Sequence, residues 1–434
     1  MSAAGGDSRA PGDSRRVVVL GGGGGIGRVA AAALAQTDDA AEVLVADLSL
    51  DAAEQTVATI DDPRFRAVAV DVSSPESIAA VLDGAAVALN CVGPFYRFGP
   101  PTLAAVIGAG VTYVDVCDDL DATRSMLELD GRARDAGVMA LVGMGNSPGL
   151  ANIFVKLCDE WFLDEVHTAE IMHIHGGEPD EGPAVLKHRI HAMTADVPLF
   201  VDGEFVEVRM LEDSGAAFVH DEDFPGVGTY PVFPYPHPET ITLPTVFPNL
   251  RGATNLGVVF PLPYFEMTQS LVRAGMASDE PVTAPTSAGT TAGTTADVAP
   301  IDVMVALLRR ERPRLLAESG ITGPGGCLRV VVTGTSGGED HTYVCSLFSE
   351  EEGAGEGTGI PAALGAILAL RGGLEGGPGV HPPEAIVPVG PLLELATVVV
   401  AGLGVSGGAM PLRVEHIGPD GAREEIPFSL TGEA

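Results

Sequence analysis

The sequence predicts an α/β protein: an N-terminal Rossmann domain with a doubly wound parallel sheet, then a second α+β domain built on a mixed or antiparallel sheet. Three observations predict it. A β-branched run enters a glycine cluster at VVVLGGGGGIG, residues 17–27; short apolar runs then alternate with Ala-rich stretches to about residue 144; past Asn146-Ser147-Pro148-Gly149 the texture changes to alternating strands joined by longer pieces, with prolines clustered at YPVFPYPHPET. At 434 residues the chain also exceeds what one hydrophobic core usually organises.

Strands are predicted at 17–20, 42–47, 65–72, 85–92, 112–117 and 138–143, and helices near 26–36, 51–60, 75–82, 99–109 and 122–136. Six strands with helical crossovers complete a dinucleotide-binding domain over 16–147, after a disordered leader at 1–15. The second domain, 148–358, is read as serving substrate binding and dimerisation. It opens with a helix at 150–160 and continues with a strand in VHTAEIMHIHGG, a hairpin in FVDGEFVEVRML and a strand in CLRVVVTGT. Its Ala/Gly/Thr/Ser stretch at 284–297 reads as a flexible loop. A C-terminal segment, 359–434, begins with an apolar helix, opened by Pro361 and closed by Gly372, that is expected to pack back on the Rossmann domain.

Composition excludes several functions. The formal net charge of -35 opposes binding to a phosphate backbone. No run approaches the ~20 apolar residues that span a bilayer, and the first residues lack the apolar core of a secretory signal, so a cytoplasmic protein is expected. The five cysteines are scattered without CxxC spacing, which points to neither a disulfide framework nor a zinc site, and no metal is expected.

Gly22, Gly24 and Gly27 satisfy G-x-G-x-x-G. The pattern supplies a tight turn, close backbone approach to a pyrophosphate and close packing of helix on strand, with the phosphate at the positive helix end. The context supports it, because a β-branched strand precedes, an Ala-rich helix follows, and Asp47 ends the second strand roughly twenty residues on, where the ribose-binding acid belongs. Gly22, Gly24, Gly25, Ile26 and Gly27 are therefore candidate cofactor residues. A carboxylate at Asp47 accepts from a ribose 2′-hydroxyl and repels a 2′-phosphate, and Leu48 beside it offers no cation, so NAD is expected, with NADP possible. Asp71 and Val72 end the third strand near the expected adenine position; Asp71 reads equally as a turn or capping residue. Cys91, Val92, Gly93, Pro94 and Phe95 follow strand four, beside the nicotinamide half.

Cys117, Asp118 and Asp119 follow strand five at the same edge. Paired carboxylates there can exchange a proton or bind an ammonium, and Asp119 can equally cap the next helix. Histidine suits proton exchange near neutrality. His188 and His191 share a face if LKHRIHAM is helical, and His237 opens HPETITLP; His173 and His175 alternate on a strand and read as ordinary sheet residues. The candidate proton-transfer groups are thus Asp118, Asp119, His191 and His237. Candidate substrate contacts are Cys117, His188, Arg189 and Glu239, with Arg189, like Arg251 and Arg273, suited to a carboxylate.

The stretches VLGGGGGIGR, VADLSLDAAE, NCVGPF, GVTYVDV and GMGNSPGLAN, in this order, resemble the saccharopine dehydrogenase-like family, which includes saccharopine reductases, lysine 6-dehydrogenases and carboxynorspermidine dehydrogenases. The resemblance continues through HPETITLP, DVAPIDVMVALL, TGIPAALGAILALRGG and GVHPPEA. It implies a Rossmann domain, a second domain whose sheet covers the cleft and supports a homodimer, and hydride transfer at the carbon of an amine or imine on amino-acid-derived substrates. It also implies that Gly22 to Gly27, Asp47, Cys91 to Phe95 and Asn146, Ser147, Pro148 and Gly149 line the cofactor, with substrate contacts from the second domain. The same scaffold can carry a carbonyl or carbon-carbon double-bond reductase, or an NAD-binding sensor without turnover.

Overall fold

The computed structural model describes residues 15–285, 295–349, 354–404 and 412–427. The leader expected at 1–15, except Arg15, and the centre of the loop expected at 284–297 lie outside the described residues. The chain forms two compact units, one of Met1–Trp161, Gly355–Met410 and Pro427–Ala434, the other of Phe162–Ala354 and Pro411–Ile426.

In the first unit, β1 (Arg16–Leu20), α1 (Gly25–Leu34), β2 (Glu42–Asp47), α2 (Leu50–Ile60), β3 (Phe65–Ala69), α3 (Pro75–Val81), β4 (Val87–Asn90), α4 (Phe95–Ala109) and β5 (Thr112–Asp115) alternate strictly. The helix expected at 122–136 is two helices, α5 (Leu120–Leu127) and α6 (Asp130–Ala136), before β6 (Met139–Leu141) and α7 (Leu150–Trp161). Local chemistry sets the helix starts: Ser49, Ser74 and Asp119 each accept a backbone N–H of the first turn of α2, α3 and α5.

The second unit holds β7 (Glu165–Gly176), α8 (Pro183–Ala192), β8 (Val197–Val201), β9 (Glu204–Val208), α9 (Asp213–Ala216), β10 (His220–Phe224), β11 (Gly228–Pro234), α10 (Glu239–Val246), β12 (Gly252–Phe260), α11 (Leu262–Arg273), β13 (Val282–Pro285), β14 (Thr295–Val298), α12 (Pro300–Glu318), β15 (Gly325–Ser336) and β16 (Glu339–Ser349). The described ends of the 284–297 stretch are thus paired strands, Pro285 opposite Thr295. Between β8 and β9, Asp202 (φ 52) and Gly203 (φ 84) make the two-residue, positive-φ turn that matches the twist of a hairpin.

The C-terminal segment is divided between the units. Helix α13 (Ala354–Leu370), β17 (Gly379–His381), α14 (Pro383–Ile386) and α15 (Val389–Leu403) belong to the first, and β18 (Leu412–Ile417) and β19 (Arg423–Ile426) to the second. Helix α13 lies against α1 across glycine: a Cβ on Gly359 would sit 2.8 Å from Ile26 O and 2.8 Å from Val29 Cβ.

The first sheet is parallel throughout, in the order β17-β6-β5-β4-β1-β2-β3. Among the described residues it has seven strands rather than the six expected, because β17 joins β6 from far along the chain. The order reverses between β1 and β4, so their carboxyl ends flank the crevice in which such folds bind ligands. The second sheet is mixed, running β10-β11-β12-β7-β15-β16-β18-β19 with β8 on β12 and β9 on β8; β12 and β7 are parallel within an otherwise antiparallel sheet. Its core gathers Met172, Phe224, Leu256, Val258 and Phe265. No helix among the described residues is long and apolar enough to cross a membrane.

Candidate functional site

The glycine loop shows what each missing side chain does. Gly21, at φ +79, makes the turn out of β1, a role the sequence pattern assigns to Gly22. Gly22 instead admits β2, since a Cβ there would meet Val45 Cγ1 at 2.6 Å. A Cβ on Gly27 would sit 2.1 Å from Gly21 O, whereas one on Gly25 would meet nothing within 4 Å. Gly24, the N-cap of α1, has no side chain to satisfy the helix's first N–H groups. A helix start that carries no side chain at Gly24 or Gly25 and no cap of its own is the cradle an anionic pyrophosphate fits.

Asp47 braces this loop. Its Oδ2 accepts from Gly23 N and its Oδ1 from Ser49 N, both at 3.0 Å. Each oxygen keeps a further lone pair for a ribose hydroxyl. Leu48 beside it is 77% exposed. Asp71 serves as a turn: its carboxylate accepts from Ser73 N at 2.8 Å and Ser73 Oγ at 2.6 Å, with Val72 half-buried next to it.

The end of β4 comes to the same place. Cys91 N donates to Leu20 O at 2.8 Å, and a Cβ on Gly21 would touch Cys91 and Val92 at 3.0 Å. Asn90 is buried, accepts from Val92 N at 3.0 Å and donates to the Tyr113 phenol at 2.9 Å. Gly93, Pro94 and Phe95 then turn into α4, with Pro94 as its N-cap.

Asp115 ties the ends of β5 and β6 together, accepting from Cys117 N at 3.0 Å and Gly143 N at 2.7 Å. Burial pushes its carboxyl up to about 6, against the bonds from Cys117, Gly143 and Tyr113. Cys117 is buried, and burial together with the charge of Asp115 raises its thiol well above the ordinary range. Asp118 is half-buried beside this group. Asp119 caps α5, accepting from Ala122 N at 2.9 Å, which gives its carboxylate a structural task. The turn Asn146-Ser147-Pro148-Gly149 closes on itself through Gly145 N to Pro148 O at 2.9 Å, and Gly149, at φ +124, has no room for a Cβ because Gly145 O would be 1.9 Å away. The methyl of Thr358 on α13 packs beside Gly145.

The second unit gathers a separate buried polar cluster. His237 and His173 stack with ring centroids 4.9 Å apart at 7°, His175 lies 6.3 Å from His173, and Tyr235 stands edge-on to both stacked rings. Asn255 Nδ2 donates to Glu239 Oε1 at 3.2 Å, and Asn255 Oδ1 lies 3.1 Å from His173 Nε2. Glu239 is fully buried. Burial holds His173 down to about 3 and His175 to about 4, and burial with His173, His188 and His175 around it keeps His237 well below the usual histidine range. All three are neutral at physiological pH.

Arg189 also turns inward, but its guanidinium is spent on Glu181, with Nη1 to Oε2 at 2.8 Å and Nη2 to Oε1 at 2.6 Å. That fork is not offered to a substrate carboxylate. His188 is half-buried on α8, and His191, one turn on, is exposed. The structure thus places His237, Glu239 and His188 in one neighbourhood and His191 on the surface, and it adds His173, His175, Tyr235 and Asn255. The one signal for these was the spacing of His173 and His175, which puts both on one face of a strand. Among the described residues no group of three or more His, Cys, Asp or Glu is placed to hold a metal.

A sheet that reverses order beside an uncapped, glycine-lined helix start, with an acid closing the second strand, defines a dinucleotide-binding protein. Residues 17–141 match the family described as saccharopine dehydrogenase NADP binding domain. The chain is an NAD(P)-dependent oxidoreductase whose residues 17–141 are similar to that NADP-binding domain. It is 25% identical over 370 residues to a carboxyaminopropylagmatine dehydrogenase of Synechocystis sp., covering 80% of this chain and 87% of the relative. It is 24% identical over 306 residues to a carboxynorspermidine synthase of Vibrio cholerae, covering 63% and 68%. The fold is similar to apo saccharopine dehydrogenase (L-Glu forming) from Saccharomyces cerevisiae, with TM-score 0.62 and 16% identity over 93% of this chain and 99% of that one.

Proposed function

We propose that this oxidoreductase transfers a hydride between NAD and the carbon of an amine or imine in an amino-acid-derived, polyamine-like substrate. The observation that carries the reading is the buried cluster of His173, His175 and His237 beside Glu239, neutral imidazoles able to exchange a proton with a substrate nitrogen. The relatives named for carboxyaminopropylagmatine and carboxynorspermidine support the substrate class. When bound, the nicotinamide accepts or supplies the hydride. Gly22 to Gly27 would hold its pyrophosphate, Asp47 the ribose, and Cys91 to Phe95 with Asn146 to Gly149 the nicotinamide half. His237 holds the proton, and the second unit supplies the substrate contacts.

The test is turnover. With NAD present, a panel of secondary amines derived from amino acids and polyamines is expected to give reduced cofactor, followed by absorbance, or consumption of it in the imine direction. Tight NADH binding with no turnover across the panel favours a sensor, and reduction of a ketone without added amine favours a carbonyl reductase. The reading also includes a cytoplasmic homodimer; a monomer by light scattering counts against the dimer.

Cofactor choice is expected to follow Asp47. The double change Asp47→Ala with Leu48→Arg removes the 2′-phosphate-repelling carboxylate and adds a cation at an exposed position. The ratio of NADPH to NADH affinity is expected to rise by at least about tenfold, on the order of 1.4 kcal/mol. An unchanged ratio in fluorescence titration refutes the NAD preference.

A further inference from the structure

We infer that Glu239 and His237 form a carboxylate–imidazole dyad in which His237 carries the proton and Glu239 positions it, with Asn255 and His173 locking the pair. The inference rests on the amine or imine reading only for the identity of the nitrogen that His237 serves.

Glu239 opens α10 and is fully buried. Burying a carboxylate is costly unless neighbours use its charge. Here one oxygen accepts from Asn255 Nδ2 at 3.2 Å and the other lies 4.0 Å from His237 Nδ1. The carboxylate decides which way the Asn255 amide faces, because the reversed amide would set oxygen against oxygen. Asn255 Oδ1 therefore meets His173 Nε2, and since an amide oxygen only accepts, the His173 proton sits on Nε2. His173 is held by this bond and by a slot at Gly257, where any Cβ would lie 2.2 Å from the ring. His237 stacks on the face of that fixed ring, and Tyr235 closes the edge of both. The His237 ring plane is set by packing, and its Nδ1 side is turned to Glu239.

With the proton on Nδ1, Nε2 is the nitrogen that takes the substrate's proton: the substrate N–H bond breaks, an Nε2–H bond forms, and the electron pair stays on the substrate nitrogen. Glu239 then faces an imidazolium, which it stabilises, against the burial and the neighbouring His173, His175 and His188 that disfavour it.

The experiment uses the full chain with ¹⁵N-labelled histidine, read by long-range ¹H–¹⁵N correlation at pH 7.5, with assignments from His173→Gln and His237→Gln. In the wild type, His237 is expected as the Nδ1–H tautomer and His173 as the Nε2–H tautomer. Glu239→Gln is expected to shift His237 to mixed or Nε2–H tautomers and Glu239→Asp to restore Nδ1–H, while Asn255→Leu abolishes the His173 preference. With an active substrate, Glu239→Gln should lower kcat about tenfold to a hundredfold, leave KM within about threefold, and move the acidic limb of the rate profile. His237 as Nε2–H in the wild type, or Nδ1–H unchanged in Glu239→Gln, overturns the dyad. The tautomers are read without substrate, so absent turnover leaves the dyad standing and sinks only the amine reading.

Discussion

Gly24→Asp is expected to leave the protein at least as stable as the wild type while lowering NADH affinity by about two orders of magnitude, roughly 3 kcal/mol. The two effects have opposite signs because both arise at one helix end. Gly24 is the N-cap of α1, with extended backbone at φ -79 and ψ 172 that aspartate adopts readily, and a Cβ there meets only Gly21 O at 3.3 Å. An Asp side chain can accept the first-turn N–H groups that no side chain caps now, a gain of a few tenths of a kcal/mol over glycine. Those same N–H groups and the same positive helix end are what a pyrophosphate needs. Thermal unfolding and fluorescence titration together decide it. Unaltered NADH affinity with an intact melting curve removes the pyrophosphate from this loop.

The largest stability effect is expected at Glu181. Its carboxylate accepts both arms of Arg189, the Tyr264 hydroxyl at 3.1 Å, and an ion pair with Arg312 Nη1 at 3.1 Å. Arg312 is itself fully buried over the Tyr264 ring, 4.7 Å from its centroid. Glu181→Gln leaves two buried guanidiniums facing a neutral amide, which costs about 3–5 kcal/mol. At about 2–4 °C per kcal/mol, the melting temperature of this unit should fall by about 6–20 °C. A loss under about 1 kcal/mol would mean that water or neighbouring carboxylates already compensate the arginines.

The same group sets a pH dependence. Burial works to raise the Glu181 carboxyl, but Arg189, by charge and hydrogen bond, and Arg312 outweigh it and hold the group at about 2, against 4.5 ordinarily. A folded pKa below the unfolded one contributes stability that is present above the unfolded value and is lost as pH falls through the folded value. Wild type should therefore lose stability relative to Glu181→Gln between about pH 4.5 and 2.

How much of this was legible in the sequence differs by kind of residue. Gly22 to Gly27 and Asp47 were readable because a strand, a turn and a helix start are local, and each leaves a mark within a few residues. Asp71 and Asp119 were local as well, and for them the same stretch supported two readings. A carboxylate one to four residues before a helix can hold the turn into it, cap it or face a cleft, and only the bonds to Ser73 and Ala122 separate these readings. Arg189 was legible as a cation, but the carboxylate of Glu181 that occupies it was not.

By itself the sequence determined the alternation of strands and helices, the glycine loop with its acid, and the change of texture that marks a second domain, because each follows from hydrophobic period and backbone preference over short spans. Only the tertiary structure decided that Gly379–His381, a strand of three residues, adds a seventh strand beside β6, and that His173, His237, Glu239 and Asn255 meet. Such meetings depend on strand register between distant segments: Gly257 must pair with His173 for its missing side chain to open the slot that the imidazole fills. Register is set by the packing of the whole sheet, and no local stretch records which partner it will face.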